Sequence, residues 1–435
     1  MGSILHMNVC FRMILVLACS IPAVALAALQ FRYDTEYEAI QYSASTPSGA
    51  VAQLLVRIAG GEVTLQAHAE NGYLASLLRE LGIDVDTQVL VFSKTSLQVN
   101  KISPLSPRAI YFNDSVYVAW VPGGLIEISS VDPKLGIVFY TLEQQQLGFE
   151  RHTTRCLECH DTYSLTGGGV PRHLVGSGFI DQTGALASHE GWILTTDQTP
   201  IRRRWGGWYV TGTHGEQIHM GNVIIRSPEQ AANLDLSATG NVKDLASFID
   251  TRQYLGDHSD IVALMVLEHQ AHVQNVITRV NYDTRMALHN QKKHNRELGR
   301  NEDFVAEETM THIQSIVEPL VRTLLLVDEA PLSDTIAGTS GFAERFTGLG
   351  PFDAHGRSLR QFDLTRRLFR YPCSYVIYSE AFNALPDMSK TSIYQRLREV
   401  LGGTDRSGVF VYLSAADREA ILEILESTKP EFAAS

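Results

Sequence analysis

The stretch Cys156-Leu157-Glu158-Cys159-His160 is the most informative part of the sequence. On a short helix, two cysteines three positions apart lie about one turn from each other, so both sulfur atoms face the same side and the histidine follows directly. This C-x-x-C-H spacing is the pattern at which haem is attached, with two thioether bonds to the vinyl groups and an imidazole on the iron. The sequence therefore predicts one covalently bound haem c, held by Cys156, Cys159 and His160, with His160 as a metal ligand.

Two other chemistries use closely spaced cysteines. A thioredoxin-like dithiol usually follows a strand in a small α/β domain, whereas here the polar run 153–155 precedes the first cysteine without an aromatic residue. A structural zinc site needs a second pair of ligands at short range, and only His152 and His173 are near in sequence. Both alternatives stay open, as does a poorly favoured disulfide, and haem attachment is the preferred interpretation.

The first 27 residues have the pattern of an export signal. Arg12 precedes an apolar run over 13–25, and residues 25–27 provide the small-x-small cleavage pattern. Because covalent haem attachment requires an oxidising compartment, we expect a signal peptide over 1–27 and a periplasmic mature protein. Cys19 leaves lipidation open. The later sequence has no apolar run of about 18 residues, so no transmembrane segment is expected in the mature chain.

Cysteine content and charge narrow the class of protein. Of the 5 cysteines, Cys10 and Cys19 fall in the predicted signal, so only Cys373 remains outside the motif and a disulfide framework is excluded. Cys373 lies in an aromatic and β-branched run and is expected to be buried and inert. The formal net charge of −12 makes nucleic acid an unfavourable partner and favours a basic redox partner protein.

Residues 28–149 predict a small α+β domain with a scaffold or docking role. Helical apolar patterns that end at glycines cover 47–59 and 73–81. Runs rich in Val, Ile, Phe and Tyr follow, separated by turn residues, and predict a mainly antiparallel sheet. The expected strands are 88–93, 109–113, 116–121, 125–130 and 135–140.

Residues 150–244 are predicted to form the haem segment. Three arginines occupy 202–204, and Trp205 and Trp208 follow within a few positions. Haem has two propionates, which need charge-assisted donors when they are partly buried. We therefore expect Arg204, as one of the three arginines, and Trp205 or Trp208 to bind the propionates. The alternative is a basic turn in solvent beside ordinary core aromatics.

The motif and the run 170–174, which contains Pro171, resemble a class I c-type cytochrome. The runs 204–215 and 371–379 are similar to runs in large exported bacterial proteins that are described only as containing a cytochrome c domain. The class I likeness implies that the Pro171 carbonyl accepts a hydrogen bond from the His160 ring, which fixes the ligand and raises its basicity. One departure is that the residues before Cys156 have strand patterns, where a class I cytochrome has a helix.

The same likeness implies Met220 as the sixth iron ligand, because it lies 60 residues after His160 and Gly221 would let the backbone approach the haem. A predicted helix over 257–290 offers further candidates, since His258, Met265, His269 and His272 share one stripe. An open iron face is also compatible with the sequence. The alternative ligands to Met220 are His214, His219, Met265 and His269.

Residues 245–435 predict a mostly helical C-terminal region, so the fold class is α+β, with an N-terminal sheet followed by a mostly α-helical, cytochrome c-like haem region. The preferred function is a periplasmic monohaem cytochrome that transfers electrons. Because the chain is longer than a shuttle needs, a haem enzyme with an open iron face, peroxidase-like or a small-molecule dehydrogenase, is an alternative, with His219, His269 or His272 as base. A haem sensor or docking subunit is another. The predicted helices are 257–290, 303–327, 364–385, 390–401 and 415–428.

Overall fold

The structure is a computed structural model that describes residues 34–162, 168–187, 191–227, 230 and 233–434. The predicted signal peptide, with Cys10 and Cys19, lies outside these residues. The described residues belong to one compact unit, Tyr33–Ser435. The division of the chain at 149 and 244 stays a prediction.

An antiparallel sheet of seven strands occupies the N-terminal half, with the strand order β6-β5-β4-β3-β2-β1-β9. All five strands that the sequence predicts are present, with ends within three residues of the predicted ones. The edge strands β6 and β9 were not predicted, and β7 and β8 form a separate two-stranded sheet. The strands are β1 Val89–Val91, β2 Arg108–Phe112, β3 Val116–Trp120, β4 Ile126–Asp132, β5 Gly136–Glu143, β6 Gly148–His152, β7 Gly176–Ser177, β8 Ile193–Leu194 and β9 Trp208–Tyr209.

Both faces of the sheet are covered, because successive side chains of a strand point to opposite sides. Helices α1 (Ala50–Ala59) and α2 (Leu74–Leu81), both predicted from the sequence, pack against one face. The opposite face shares its core with the C-terminal helices. Side chains on the first face include Leu90, Tyr111, Val118, Ile128 and Tyr140, and those on the second include Val91, Phe112, Tyr117, Val131 and Phe139.

The C-terminal half is helical, which confirms the α+β class. Its central element is α4 (Ile261–Glu297), whose 37 residues follow the N-cap Asp260 and span about 55 Å at the usual rise per residue. None of the helices in the described part of the chain combines the length and hydropathy needed to cross a bilayer. The single-turn helix α3 is Leu157–His160, and the later helices are α5 Glu307–Leu324, α6 Phe342–Gly348, α7 Glu380–Asn383, α8 Asp387–Leu401, α9 Ala415–Thr428 and α10 Pro430–Ala433.

The predicted helix over 364–385 is wrong. The Asp363 carboxylate accepts hydrogen bonds from the backbone N–H groups of Thr365 and Arg366, both at 3.0 Å, and this turn competes with a helix. Pro372 lacks a backbone N–H and interrupts the run again. The chain therefore forms a tight turn, a 3-10 turn over Tyr375–Tyr378 and then α7.

Candidate haem site

The C-x-x-C-H motif forms one helical turn shortly after the edge strand β6. The carbonyl of Cys156 accepts hydrogen bonds from the N–H groups of Cys159, at 3.2 Å, and His160, at 3.0 Å. Both thiols are free, with Cys156 half-buried and Cys159 exposed. The short helix expected from the cysteine spacing is therefore confirmed, and one turn presents two thiols and an imidazole.

The His160 ring has a defined proton position. Its Nδ1 lies 2.6 Å from the carbonyl oxygen of Arg172. A carbonyl can only accept, so Nδ1 has the proton and Nε2 is the nitrogen left with a lone pair for a metal. Burial lowers the pKa of His160, which favours the neutral imidazole that iron binds. Phe139 packs against the ring, with the ring centres 4.6 Å apart.

The carbonyl that holds His160 belongs to Arg172 and not to Pro171, which corrects the sequence prediction by one position. Arg172 also donates its N–H to the carbonyl of His160 at 2.9 Å, so residue 172 makes both bonds to His160. Pro171 has no N–H and could not form this reciprocal pair. The run 170–174 nevertheless places a backbone acceptor behind the ring, as the resemblance implies.

The Cys156 thiol does not have the electrostatics of a reactive dithiol. Burial, with a smaller contribution from the negative charge of Glu127, raises the pKa of Cys156 to about 12. Disulfide exchange requires a thiolate, which a high pKa disfavours. Among the residues that the structure describes, no three His, Cys, Asp or Glu side chains are grouped so that they could hold a metal ion. The high pKa of Cys156 thus disfavours the dithiol interpretation, and the described residues provide no grouped set of ligands for zinc.

His173 ties the motif to both the sheet and α4. Its Nε2 lies 2.9 Å from the hydroxyl of Ser129, and its ring centre is 4.2 Å from that of Tyr117. Its backbone N–H donates to Oδ1 of Asn275 at 2.7 Å, and its carbonyl accepts from Nδ2 of Asn275 at 2.8 Å. Burial, together with the proximity of His160, lowers the pKa of His173 to about 3, so the ring is neutral at physiological pH.

Arg204 and Trp208 have internal partners in place of the predicted propionates. Arg204 is buried and donates to the carbonyls of Thr199, at 2.6 Å, and Asp197, at 2.7 Å, and pairs with Glu268 at 3.3 Å. The indole N–H of Trp208 donates to the Gly176 carbonyl at 2.8 Å. A buried guanidinium needs such acceptors, which explains why the arginine points inward.

Trp205 also lies in the core, since its side chain is 0% exposed and its ring lies 5.3 Å from that of His219. The basic and aromatic cluster seen in the sequence therefore belongs to the interior of the protein. Within the part of the chain that the structure describes, no hydrogen bond or ring contact joins Trp205 to the C-x-x-C-H turn.

Met220 lies away from His160. Its N–H donates to the Arg204 carbonyl at 3.0 Å, and its sulfur is 3.8 Å from the hydroxyl of Ser177. Asn222, two residues on, joins β9 through a 2.9 Å bond to the Trp208 carbonyl. Four strands separate β9 from β5, which carries the Phe139 ring beside His160. Within the described residues, no hydrogen bond joins Met220 to His160, and the Met220 sulfur lies at Ser177 instead.

The alternative ligands are also committed to other contacts. His269 uses both ring nitrogens, binding Asp197 at 2.9 Å and Ser374 at 2.7 Å. His219 accepts a hydrogen bond from the N–H of Gly221 at 3.0 Å. His214 accepts one from Asn241 at 2.9 Å, and Met265 is 2% exposed in the core.

His272 differs from these side chains. Its Nδ1 lies 2.8 Å from the carboxylate of Asp197, its side chain is 18% exposed, and within the described residues its Nε2 makes no hydrogen bond. The helical stripe in the sequence included His272, but the carboxylate that orients it could not be read from the pattern. Neither a protein-family model, nor a curated protein, nor a solved structure matches this chain, so the resemblance to cytochrome c proteins stays a prediction from the sequence.

Proposed function

We propose that the chain is a periplasmic monohaem c-type cytochrome that transfers electrons. The observation that best supports this proposal is the arrangement of one helical turn. Two free thiols and an imidazole share it, and the imidazole donates its Nδ1 proton to the Arg172 carbonyl and keeps Nε2 available. This donor set matches the requirements of two thioether bonds and one axial ligand.

A haem bound there would supply one-electron redox chemistry, and the chain would hold and tune it. Cys156 and Cys159 would anchor the macrocycle. The Arg172 carbonyl would keep the imidazole of His160 in place and raise its basicity. Nε of Arg172 is buried and, in the described part of the chain, has no hydrogen-bond partner, so this side chain replaces Arg204 as the proposed propionate donor.

The partner in electron transfer would be a basic protein. The formal net charge of the chain is −12. A surface with this charge attracts a positively charged partner over distances comparable to the Debye length and speeds the encounter.

Attachment can be tested by intact-mass measurement and optical spectra of protein from a host that matures c-type cytochromes. We expect the mass of one haem on the chain. We expect no adduct on the Cys156→Ala/Cys159→Ala double variant, because both thioethers are lost. Cys373→Ala is the matched control, since that thiol is buried outside the motif and its removal should leave the adduct unchanged. A wild-type protein without porphyrin would overturn the proposal.

A haem enzyme is the second candidate, and His272 is the observation that favours it. A carboxylate-oriented imidazole with a free Nε2 is the usual arrangement of a general base. Coordination and reactivity separate the two functions. Six-coordinate iron that is inert to peroxide indicates the cytochrome, and five-coordinate iron that turns over peroxide indicates the enzyme.

A further inference from the structure

We propose that Asn275, on α4, tunes the redox potential of the iron through a chain of hydrogen bonds that ends on His160. The inference rests on the proposed function, because it requires His160 to bind haem iron. Asn275 would be a positioning residue, since it reaches the ligand only through the backbone of residues 172 and 173.

The peptide group between Arg172 and His173 links the two side chains. On one side, its N–H donates to Oδ1 of Asn275 at 2.7 Å. On the other side, its carbonyl accepts the Nδ1 proton of His160 at 2.6 Å. In a trans peptide the N–H and C=O groups point in opposite directions. The amide of Asn275, the peptide and the imidazole therefore follow one another in a single chain of donors and acceptors.

The polarity of this chain gives the direction of the effect. When Oδ1 of Asn275 accepts a hydrogen bond from the peptide N–H, the negative charge on the carbonyl oxygen at the other end of the peptide increases, because successive hydrogen bonds strengthen one another. A stronger acceptor draws the Nδ1 proton away from the ring and makes His160 a more basic ligand. A more basic ligand stabilises ferric more than ferrous iron, so Asn275 should lower the reduction potential.

The chain is also fixed in place. Nδ2 of Asn275 donates to the His173 carbonyl at 2.8 Å, which determines which end of the amide faces the N–H. The neighbouring Gln274 anchors this part of α4 to the sheet, accepting from the Tyr117 hydroxyl at 2.7 Å and donating to the Asp114 carbonyl at 2.8 Å. The ring of His173 is held by Ser129 at 2.9 Å. Asn275 can therefore act on the peptide without reorganisation.

Two substitutions of similar size should move the midpoint potential in opposite directions. Asn275→Leu removes the acceptor and should raise the potential. Asn275→Asp replaces it with a charged acceptor and should lower it. We expect each shift to approach a tenfold change in the ferric-to-ferrous equilibrium, which is about 59 mV for one electron. Spectroelectrochemical titration of the haem-loaded protein measures both.

Asn281→Leu is the control. Asn281 lies on the same helix, but its Nδ2 donates to the Pro133 carbonyl at 3.4 Å, a contact that does not involve the motif. Its potential should equal that of the wild type. Shifts of the same sign in both Asn275 variants would indicate that the substitutions only loosen the packing around His160, which would overturn the inference. No shift in either variant would overturn it as well. If Asn275→Leu does not fold, Asn275→Ser also removes the acceptor, because its side chain is too short to reach. A wild-type protein without haem would instead refute the proposed function.

Discussion

At the scale of single residues, the polar groups buried between α4 and the segment 195–204 form a connected network. Burial alone would raise the pKa of Asp197, but hydrogen bonds from His269 and His272 outweigh burial and keep that pKa well below its ordinary value. Burial raises the pKa of Glu268, although the charge of Arg204 opposes the rise. The pKa of each buried carboxylate thus depends on how many hydrogen-bond donors and positive charges oppose the effect of burial.

Glu329 lies at the rim of this network, and its raised pKa predicts that the free energy of unfolding depends on pH. Burial raises its pKa from 4.5 to about 7, and the Leu368 N–H donates to it at 2.7 Å. The folded state therefore binds the proton more tightly than the unfolded state, so the stability of the protein falls as pH rises from 4.5 to about 7 and then levels off. Glu329→Gln keeps the acceptor oxygen and should be more stable than the wild type by about 3 kcal/mol near pH 8.

Urea denaturation at two pH values checks this prediction. Near pH 4 the advantage of the glutamine should nearly vanish, because the wild-type carboxyl is then protonated in both states. Glu419→Gln, at an exposed position of α9, is the control and should change stability little at either pH. An equal advantage at both pH values would mean that the charge of Glu329 has no part in it.

At the scale of elements, α4 depends on its N-cap residue, Asp260. Oδ1 of Asp260 accepts from the N–H groups of Val262, at 2.8 Å, and Ala263, at 3.0 Å, which begin the helix. Oδ2 accepts hydrogen bonds from the backbone N–H groups of Thr339, at 2.7 Å, and Ser340, at 2.9 Å. These bonds fix the loop before α6. One buried carboxylate therefore joins a helix start to a distant loop.

Asp260→Ala should lower the free energy of unfolding by about 3 kcal/mol, because it removes a helix cap and leaves buried N–H groups without an acceptor. Asp260→Asn retains one acceptor oxygen but turns its amide NH2 group toward two N–H donors. Its stability should therefore lie between that of the wild type and that of Asp260→Ala. Equilibrium urea unfolding of the three proteins gives the order. Equal stability of all three would show that the cap contributes nothing.

The elements also show what the sequence could reveal. The strands β1 to β5 and helix α4 were predicted because long apolar patterns with period 2 or 3.6 come from burial against one face. The strand β6 was missed because it lies at the sheet edge, where exposed residues alternate with partly buried ones and no apolar run appears. The strand β9 was missed because it is only two residues long. The apolar run 364–385 is buried like a helix face, but turn-forming side chains set its backbone.

The candidate site divides in the same way. The C-x-x-C-H turn was predictable because its geometry is local. Arg172 and Asn275 were not, because the bond between His173 and Asn275 joins positions 102 apart and an asparagine on a helix has no distinctive pattern. Met220 and Arg204 were assigned by analogy and by charge. The structure gives each of them another partner, Ser177 for the methionine and Glu268 for the arginine.

At the scale of the whole molecule, the three segments predicted from the sequence share one architecture. The sheet is formed mainly by residues before 150, but β9, at 208–209, completes its edge beside β1. Helix α4, from the third segment, holds the loop after the motif through Asn275 and donates to the backbone of the β2–β3 turn through Gln270 and Gln274. The C-x-x-C-H turn, strand pairing and helix packing are thus physically connected.

This sharing predicts that the protein unfolds in one transition. Urea unfolding of the haem-loaded protein, followed by far-ultraviolet circular dichroism, by tryptophan fluorescence and by haem absorbance, should give coincident curves, because losing any segment exposes the core of the others. In that protein the haem signal would report on 150–244, the fluorescence on the core around buried tryptophans such as Trp120 and Trp205, and circular dichroism mainly on the C-terminal helices. If the haem signal changed first while the helical signal persisted, the divisions at 149 and 244 would mark separable folding units. The contacts of Asn275 would then be too weak to make α4 and the C-x-x-C-H turn unfold together, so the unfolding curves also measure how strongly that helix holds the segment next to His160.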